Sequence, residues 1–232
     1  EAATGKPFAR YWLHNGFVNF NNEKMSKSLG NFFTLRDVLA QVKPEVLRFF
    51  LSSSHYRSPI DYSDQSLTEA KAGLDRLYRV KEKAEACRAS GAAPSPIPSG
   101  EEVAPLLSAP ARFREAMDDD FNTAAALGHL FDAVRALNRL SPAEPSADRE
   151  KAGMFLAGYD LLDPLFAVLG LLRAPSADHF QGAGAAGKMG EGEILAGIEA
   201  RRAARAAKQY AEADRIRKEL DAEGVLLEDG KA

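Results

Sequence analysis

Apolar residues at helical spacing recur along most of this chain, and they limit what it can fold into. Residues three or four positions apart lie on one face of a helix, and an apolar face has to be buried against other elements. The spacing therefore predicts a mainly α-helical protein with a shared hydrophobic core. The clearest stripe comprises Ala126, Leu127, Leu130, Phe131, Val134 and Leu137, and weaker stripes occupy residues 35–42, 46–51 and 67–78.

Capping residues mark where several of these helices begin. A hydroxyl or amide side chain before an apolar stripe accepts hydrogen bonds from the free N–H groups of the first turn. Thr34, with Asp37 three residues later, fits a capping box. Ser63 or Ser66 is expected to begin a long helix that ends near Ala89. Further signals of a first helical turn are Pro44, Asn122 and Thr123.

Other segments interrupt the helical pattern. Residues 17–20 alternate apolar and polar side chains, which predicts a short strand followed by a turn. Residues 54–62 are predicted to form a loop. The Asp163-Pro164 pair is expected to separate two short helices at about residues 148–159 and 161–172, because proline lacks the N–H that a helix interior needs.

Composition divides the chain into four parts. Residues 173–190 are rich in glycine and alanine, which predicts a flexible linker. We expect residues 1–43 to be the end of one domain, residues 44–172 to form a helical bundle, and residues 191–232 to form a small helical or mixed unit. The sequence begins without methionine or a secretory signal, so it is expected to be a piece of a longer protein or a processed chain.

Charge and cysteine content exclude several classes of protein. The formal net charge of −3 argues against binding nucleic acid over the whole surface, although it leaves a local basic face open. No apolar run is long enough to cross a bilayer. Cys87 is the only cysteine, so an internal disulfide or a multi-cysteine metal site is impossible. These features predict a cytoplasmic protein that does not bind membranes, with Cys87 as a passive helical residue.

The other candidate metal ligands are dispersed, and no metal site is expected in this chain. Its four histidines are scattered and match no zinc-binding spacing. Asp118, Asp119 and Asp120 follow one another directly, without the alternate spacing of a calcium loop, so helix capping and contacts between helices are expected of them. His14 has two open interpretations, as a residue lining a pocket or as a hydrogen-bonded structural histidine.

A short segment rich in lysine and serine carries the chemistry of a phosphate-binding loop. Lys24 and Lys27 offer mobile positive charges. The hydroxyls of Ser26 and Ser28, with the backbone N–H groups of a turn, can bind phosphate oxygens. Gly30 gives the segment the backbone freedom to open and close. A solvated turn is the alternative interpretation of this segment alone.

A second candidate interface is the basic stretch at residues 201–218. It holds seven basic residues against two acidic ones, a local charge of +5, and it includes Tyr210. Basic helices hold RNA phosphates, and an aromatic ring can stack on an unpaired base. The alternative is a solvated helical face with ion pairs inside the helix. The charged residues are Arg201, Arg202, Arg205, Lys208, Arg215, Arg217 and Lys218 against Glu212 and Asp214.

Blocks along the chain resemble, in order, the class I aminoacyl-tRNA synthetases, and in particular the cysteinyl-tRNA synthetases. Residues 10–18 and 23–33 resemble the second signature of class I. The later blocks select the cysteine-specific family, and together the blocks span nearly the whole chain. These later blocks are residues 46–51, 54–58, 60–63, 116–123, 213–220 and 226–230.

The resemblance implies the C-terminal half of such an enzyme. Residues 1–43 would end a Rossmann-like catalytic domain, the bundle would contact tRNA, and residues 191–232 would recognise the anticodon. The implied substrates are ATP with its Mg²⁺, cysteine and tRNA-Cys, with Lys24 and Lys27 as catalytic residues. The residues implied in ATP binding are Met25, Ser26, Lys27 and Ser28, and those implied in anticodon binding are Arg205, Tyr210, Asp214 and Asp229.

Two parts of the family pattern are not found in this sequence, namely the His-x-Gly-His signature and the zinc ligands that select cysteine. The chain is therefore expected to be inactive by itself and to need the N-terminal half of the same enzyme. One alternative is a ligase that joins cysteine to an amino sugar in thiol biosynthesis, against which the basic residues 205–220 argue. The other is a non-catalytic tRNA-binding module, against which Lys24 and Lys27 argue.

Overall fold

Most of the described backbone is helical, in a computed structural model that covers residues 1, 3–20, 23–24, 34–180, 191–207 and 209–222. The chain divides into two units, Glu1–His179 (unit 1) and Phe180–Ala232 (unit 2). In chain order the described elements are β1 (Val18–Phe20), β2 (Glu23–Lys24), α1 (Leu35–Leu39), α2 (Pro44–Ser52), β3 (Ile60–Tyr62), α3 (Asp64–Ala89), α4 (Ala104–Asp118), α5 (Thr123–Arg139), α6 (Arg149–Val168), α7 (Ser176–Phe180), α8 (Glu191–Ala206) and α9 (Tyr210–Ala222).

The three described strands form a small sheet in the order β2-β1-β3. Strand β1 pairs antiparallel with β2 and parallel with β3, with Val18 opposite Ile60 and Phe20 opposite Tyr62. The strand predicted at residues 17–20 is thus confirmed, while the loop predicted at residues 54–62 is wrong at its end. Strand β3 is too short to show a pattern of its own. It forms because it pairs with a strand far away in sequence.

The predicted helix caps are confirmed. The Thr34 backbone N–H donates to Asp37 Oδ2 over 2.9 Å, and the Asp37 N–H donates to Thr34 Oγ1 over 3.3 Å. Ser63 and Ser66 both take part in the cap of α3, since each backbone N–H donates to the other hydroxyl, at 2.9 and 3.1 Å. Asn122 caps α5 by accepting from the N–H of Ala125 over 3.0 Å.

The two short helices predicted at residues 148–159 and 161–172 are wrong, because α6 runs without a break through Pro164. The side chains of Tyr159, Leu162 and Phe166 on this helix are almost completely buried. We attribute the continuity to this buried stripe, since packing on both sides of a proline offsets the one backbone hydrogen bond that it removes.

Helices α2 to α6 of unit 1 share one hydrophobic core. Cys87 on α3 is fully buried in it, and this burial raises the pKa of its thiol, as expected of a passive residue. The predicted mainly α-helical class is confirmed. The largest fully buried side chains are Tyr78, Tyr159, Phe155, Phe166, Leu74, Leu77, Leu106, Leu130, Leu137, Leu156, Leu162 and Leu171.

A polar network fixes the C-terminal end of unit 1 to α2 and α3. Glu45 accepts a hydrogen bond from Tyr78 Oη over 2.6 Å and another from the backbone N–H of Leu172. The ring of His179 stacks on that of Tyr78, with centroids 3.7 Å apart, and His179 Nε2 lies 2.6 Å from Asp75 Oδ1. Burial and the hydrogen bond to Glu45 raise the pKa of Tyr78, which therefore stays neutral.

Unit 2 has a much smaller apolar contact between its two described helices. Ala204 on α8, and Ala213 and Leu220 on α9, are its buried apolar side chains among the residues described. Gly197 gives α9 room to approach, because a β-carbon there would lie 3.1 Å from a methyl carbon of Leu220. No helix in the described part of the chain is long and apolar enough to cross a membrane.

Candidate functional site

The candidate phosphate-binding segment begins at the edge of the small sheet. Lys24 is the last residue of β2, where its backbone pairs with Asn19. The side chain of Lys24 and all of residues 25–33 lie outside the described part of the structure. The predicted roles of Met25, Ser26, Lys27 and Ser28 therefore stay predictions.

Helix α1 follows the candidate segment directly. Its capping residue Thr34 also donates its hydroxyl to Asp37 Oδ2 over 2.6 Å, and this hydrogen bond lowers the pKa of the Asp37 carboxyl. The carboxylate is thus ionised at neutral pH and holds the first turn of α1 in place. The segment accordingly has a defined element at each end, β2 before it and a capped helix after it.

An exposed aromatic stretch precedes strand β1. Phe8 stacks on Trp12 with ring centroids 5.7 Å apart, yet 79% of Phe8 and 66% of Trp12 are exposed. Tyr11 and Phe17 are exposed as well. His14 is also exposed and forms no hydrogen bond with any other residue that the structure describes. Among these residues, it is therefore not a hydrogen-bonded structural histidine. Large apolar groups exposed together are typical of a surface that binds another protein segment or a ligand.

The three consecutive aspartates end α4 and form the turn before α5. Asp120 contacts Tyr56 and Arg57 in the loop after α2, so it joins two parts of unit 1. Within the described residues, no group of three or more His, Cys, Asp or Glu side chains is arranged to hold a metal ion. The zinc implied by the family resemblance has no fitting ligand set in this part of the chain, and we derive no step from it.

The candidate anticodon residues lie on the two helices of unit 2. Arg205 is exposed in the last turn of α8, and Tyr210, 63% exposed, is the first residue of α9. Asp214 is exposed one helical turn after Tyr210, so the two side chains lie on the same face of α9. Asp229 lies outside the described residues. Three of the four candidates are thus exposed, and their role in anticodon binding stays a prediction.

Part of the basic charge of this stretch is already paired. Arg215 donates to Glu212 over 2.6 and 2.9 Å and to Glu219 over 2.7 Å. The hydrogen bond from Arg215 lowers the pKa of Glu212, so the pair is charged at neutral pH. These contacts are the ion pairs inside a helix that the alternative interpretation expected.

Two family models match the chain in the order of these elements. Residues 1–72 match the model described as tRNA synthetases class I (C) catalytic domain. Residues 112–173 match the DALR domain. The first match covers all three described strands, and the second covers α5 and α6 with part of α4. The class that these matches define is the class I aminoacyl-tRNA synthetases.

Curated relatives cover the chain from end to end. The cysteine–tRNA ligase of Syntrophotalea carbinolica is 51% identical over 235 residues, which are 99% of this chain and 48% of the relative. That of Geobacter sulfurreducens is 52% identical over 236 residues, with shares of 99% and 48%, and that of Methylococcus capsulatus is 48% identical over 233 residues, with shares of 100% and 46%. The chain belongs to the cysteine–tRNA ligase family, and it spans about half the length of the curated relatives it matches.

Two groups of contacts in unit 1 were not predicted from the sequence. One is the contact of Asp120 with Tyr56 and Arg57, and the other is the network of Glu45, Tyr78 and His179. The residues of each group come from segments far apart in the chain, so no local pattern connects them. The only available signal for the second group was a charged residue, Glu45, in a helix rich in apolar residues. The first group lies in a loop and a turn, which give no such signal.

Proposed function

We propose that this chain is the C-terminal portion of a cytoplasmic cysteine–tRNA ligase, which uses ATP to activate cysteine and then transfers it to tRNA-Cys. The observation that carries the proposal is the order of the matches, with a class I catalytic-domain match before a DALR match in a chain about half identical to cysteine–tRNA ligases. A non-catalytic module would have no need for the two lysines that follow strand β1.

The proposed chemical role of the lysine segment is to bind the phosphates of ATP. Lys27 would contact the phosphates of MgATP, with Lys24, Ser26, Ser28 and the backbone at Met25 supporting it. Attack of the cysteine carboxylate at the α-phosphate moves negative charge onto the departing pyrophosphate. Positive groups aimed at that charge lower the barrier, and closing the segment excludes water and orients the reactants.

The remainder of the chain would hold the tRNA. In this proposal residues 44–172 contact the body of the tRNA and residues 191–232 recognise the anticodon. The linker predicted at residues 173–190 begins as the packed end of unit 1, up to His179. Arg205 and Asp214, with Asp229, have the groups that read base edges, and Tyr210 can stack on a base. The exposure of Arg205, Tyr210 and Asp214 supports this assignment.

The other half of the catalytic site would come from the N-terminal half of the enzyme, with the His-x-Gly-His signature and the cysteine-selecting zinc. The exposed aromatic surface around Phe8, Tyr11 and Trp12 supports this, because it is where further catalytic-domain residues would pack. We expect the 232-residue chain to show no cysteine-dependent pyrophosphate exchange. Addition of the N-terminal half of a cysteine–tRNA ligase should restore it, and exchange by the chain alone would contradict the proposal.

The lysine assignment is tested in the restored or full-length enzyme. Lys27→Ala should lower the rate of pyrophosphate exchange by roughly 100-fold, the usual effect of losing a group that stabilises transition-state charge. Lys83→Ala, on the exposed side of α3, is the matched control and should leave the rate unchanged. Equal rates for both variants would contradict the assignment.

The anticodon assignment is tested by binding of a tRNA-Cys anticodon stem-loop to the chain. Arg205→Ala and Asp214→Ala should each weaken binding by roughly ten-fold, as expected when a base-edge contact is lost. Arg215→Ala is the control, because Arg215 is not among the four candidates, and it should weaken binding less than either test substitution does. Binding that survives both test substitutions would count against the assignment.

A further inference from the structure

The turn between α4 and α5 has an unusual backbone. Asp120 and the next residue, Phe121, have φ angles of 52° and 54°, in the left-handed region. Aspartate tolerates this conformation, but a bulky aromatic residue rarely adopts it. The turn is closed by backbone hydrogen bonds from Phe121 to Met117 and from Asn122 to Ala116, at 3.1 and 3.0 Å. Such strained backbone is found where the surroundings hold a residue in one set position.

The carboxylate of Asp120 is held by two side chains from the loop after α2. It accepts from Tyr56 Oη over 2.7 Å and from Arg57 Nε over 2.5 Å, with a further contact to Arg57 Nη2 at 3.2 Å. The hydrogen bonds from Arg57 and then Tyr56 lower the pKa of Asp120 to about 2, so the carboxylate is charged at neutral pH. The His55 ring stacks on Tyr56, with centroids 5.0 Å apart, and completes the cluster. We refer to Tyr56, Arg57 and Asp120 as the Asp120 clamp.

The same loop also holds the start of strand β1. The N–H of Gly16 donates to the carbonyl oxygen of Tyr56 over 2.7 Å, and the N–H of Ile60 donates to the carbonyl of Phe17 over 2.9 Å. Only glycine fits at position 16, because a β-carbon there would collide with the carbonyl oxygen of Ser58. The loop backbone thus contacts β1 while its side chains contact the α4–α5 turn.

The Asp120 clamp is expected to contribute little to the folding stability of unit 1. The side chains of Arg57 and Asp120 are 55% and 42% exposed, and exposed ion pairs contribute little to folding because water and salt screen them. The geometry of these contacts does fix the orientation of the loop, because three hydrogen bonds join its side chains to the one carboxylate of Asp120. The effect of the clamp is therefore expected in the position of β1 and not in global stability.

We infer that the Asp120 clamp positions strand β1, and with it the Lys24 end of the phosphate-binding segment, relative to the helical bundle. Asp120, Tyr56 and Arg57 are positioning residues, which act through the backbone of the loop and of Gly16. Strand β1 is paired directly with β2, whose last residue is Lys24, so a shift of β1 shifts the point from which the segment departs. The catalytic consequence of this inference rests on the proposed function.

The structural part is tested in the 232-residue chain by amide hydrogen exchange. Asp120→Asn is the test variant, because asparagine also tolerates a positive φ but removes the charge and one acceptor. The amides of Val18, Asn19 and Phe20 should exchange roughly five-fold faster in this variant, as expected of a locally loosened strand. Core amides such as that of Leu130 should be unchanged, and unaltered exchange in β1 would overturn the inference.

Two further variants complete this test. Asp132→Asn is the matched control, because Asp132 forms an exposed ion pair with Arg135 inside α5 and joins no separate elements. It should leave the exchange of β1 unchanged. Tyr56→Phe removes one hydrogen bond to Asp120 without altering charge, so it provides a second test if Asp120→Asn fails to fold. It should speed exchange in β1 by a smaller factor, and no effect would overturn the inference.

The catalytic part is tested in the full-length ligase, with rates expressed per titrated active site. Asp120→Asn should lower kcat for pyrophosphate exchange roughly five-fold, because misplaced catalytic groups slow the chemical step, and it should leave KM for cysteine unchanged. A purely structural role would reduce the number of active sites but not their rate, which would overturn the inference. An inactive wild-type enzyme would instead refute the proposed function, while the exchange test on β1 still decides the structural part.

Discussion

Units 1 and 2 expose and bury their side chains in very different proportions. In unit 1, aromatic and leucine side chains from helices α2 to α6 are buried together, and Tyr78, Phe155 and Phe166 are almost fully inaccessible. In the described part of unit 2, the buried apolar residues are two alanines and Leu220. Since hydrophobic stabilisation grows with the apolar area buried, unit 1 has the larger reserve of stability.

This contrast separates folding residues from candidate binding residues. The side chains proposed to contact the tRNA anticodon in unit 2 are exposed, so removing them should cost little folding stability. A small unit of this kind gains stability when its ligand binds, by about 2.7 kcal/mol at a ligand concentration of 100 Kd. The difference between the units is therefore open to test by substitutions that affect one unit and spare the other.

The largest effect is expected from opening a cavity in unit 1. Phe155→Ala removes a fully buried ring on α6 and should lower the free energy of unfolding of unit 1 by about 3–5 kcal/mol. Urea unfolding followed by hydrogen exchange would measure it for each unit. Val168→Ala on the same helix is the control, since Val168 is 65% exposed, and it should change stability by less than about 0.5 kcal/mol. Equal loss of protection in α8 and α9 would show that the units do not unfold separately.

A smaller effect is expected from the apolar contact of unit 2. Leu220→Ala removes the side chain that packs at Gly197 and should cost about 2 kcal/mol, the lower end of the range for buried leucines. Hydrogen exchange should then rise throughout α8 and α9 while unit 1 keeps its protection. Leu195→Ala, at a leucine that is 56% exposed, is the matched control. An unchanged α8–α9 pair in the Leu220 variant would show that other residues hold unit 2 together.

Within unit 1, the sequence predicts some elements well and others poorly. The capped helices of unit 1 are encoded locally, so Thr34, Ser63 and Asn122 could be placed from sequence alone. Strand β3 and the uninterrupted α6 could not, because each depends on partners far away in the chain. Pro164 stays inside a helix because the buried residues around it pack against the rest of the core.

The candidate site also has features that the local sequence predicts and features that depend on partners far away in the chain. Composition and charge indicated a small helical or mixed unit with a basic stretch at residues 201–218, but they could not show that Arg215 is already paired within α9. The contact of Asp120 with Tyr56 and Arg57 was beyond reach as well, because three consecutive aspartates indicate only a turn or a cap. Contacts between distant segments are the part of the site that a linear pattern does not contain.

The smallest effect, confined to unit 1, should come from the titration of His179. Burial lowers the pKa of this imidazole, although its hydrogen bond and charge interaction with Asp75 act in the opposite direction, and Lys43 and Glu45 add smaller opposing effects. In the unfolded chain a histidine titrates near ~6.5. The contribution of neutral His179 to stability is thus complete above that pH and is lost as the pH falls through the lower pKa of the folded state.

The wild-type chain should therefore lose stability in unit 1 between neutral and mildly acidic pH. His179→Gln removes the titration and still offers a donor to Asp75, so the slope of its unfolding free energy against pH should be shallower in this window. The carboxyl of Asp75 responds only in more acidic solution: burial favours its neutral form, but hydrogen bonds from Lys71 and His179 outweigh this and lower its pKa. Parallel slopes for wild type and His179→Gln would show that the C-terminal end of unit 1 is held without regard to the charge of His179.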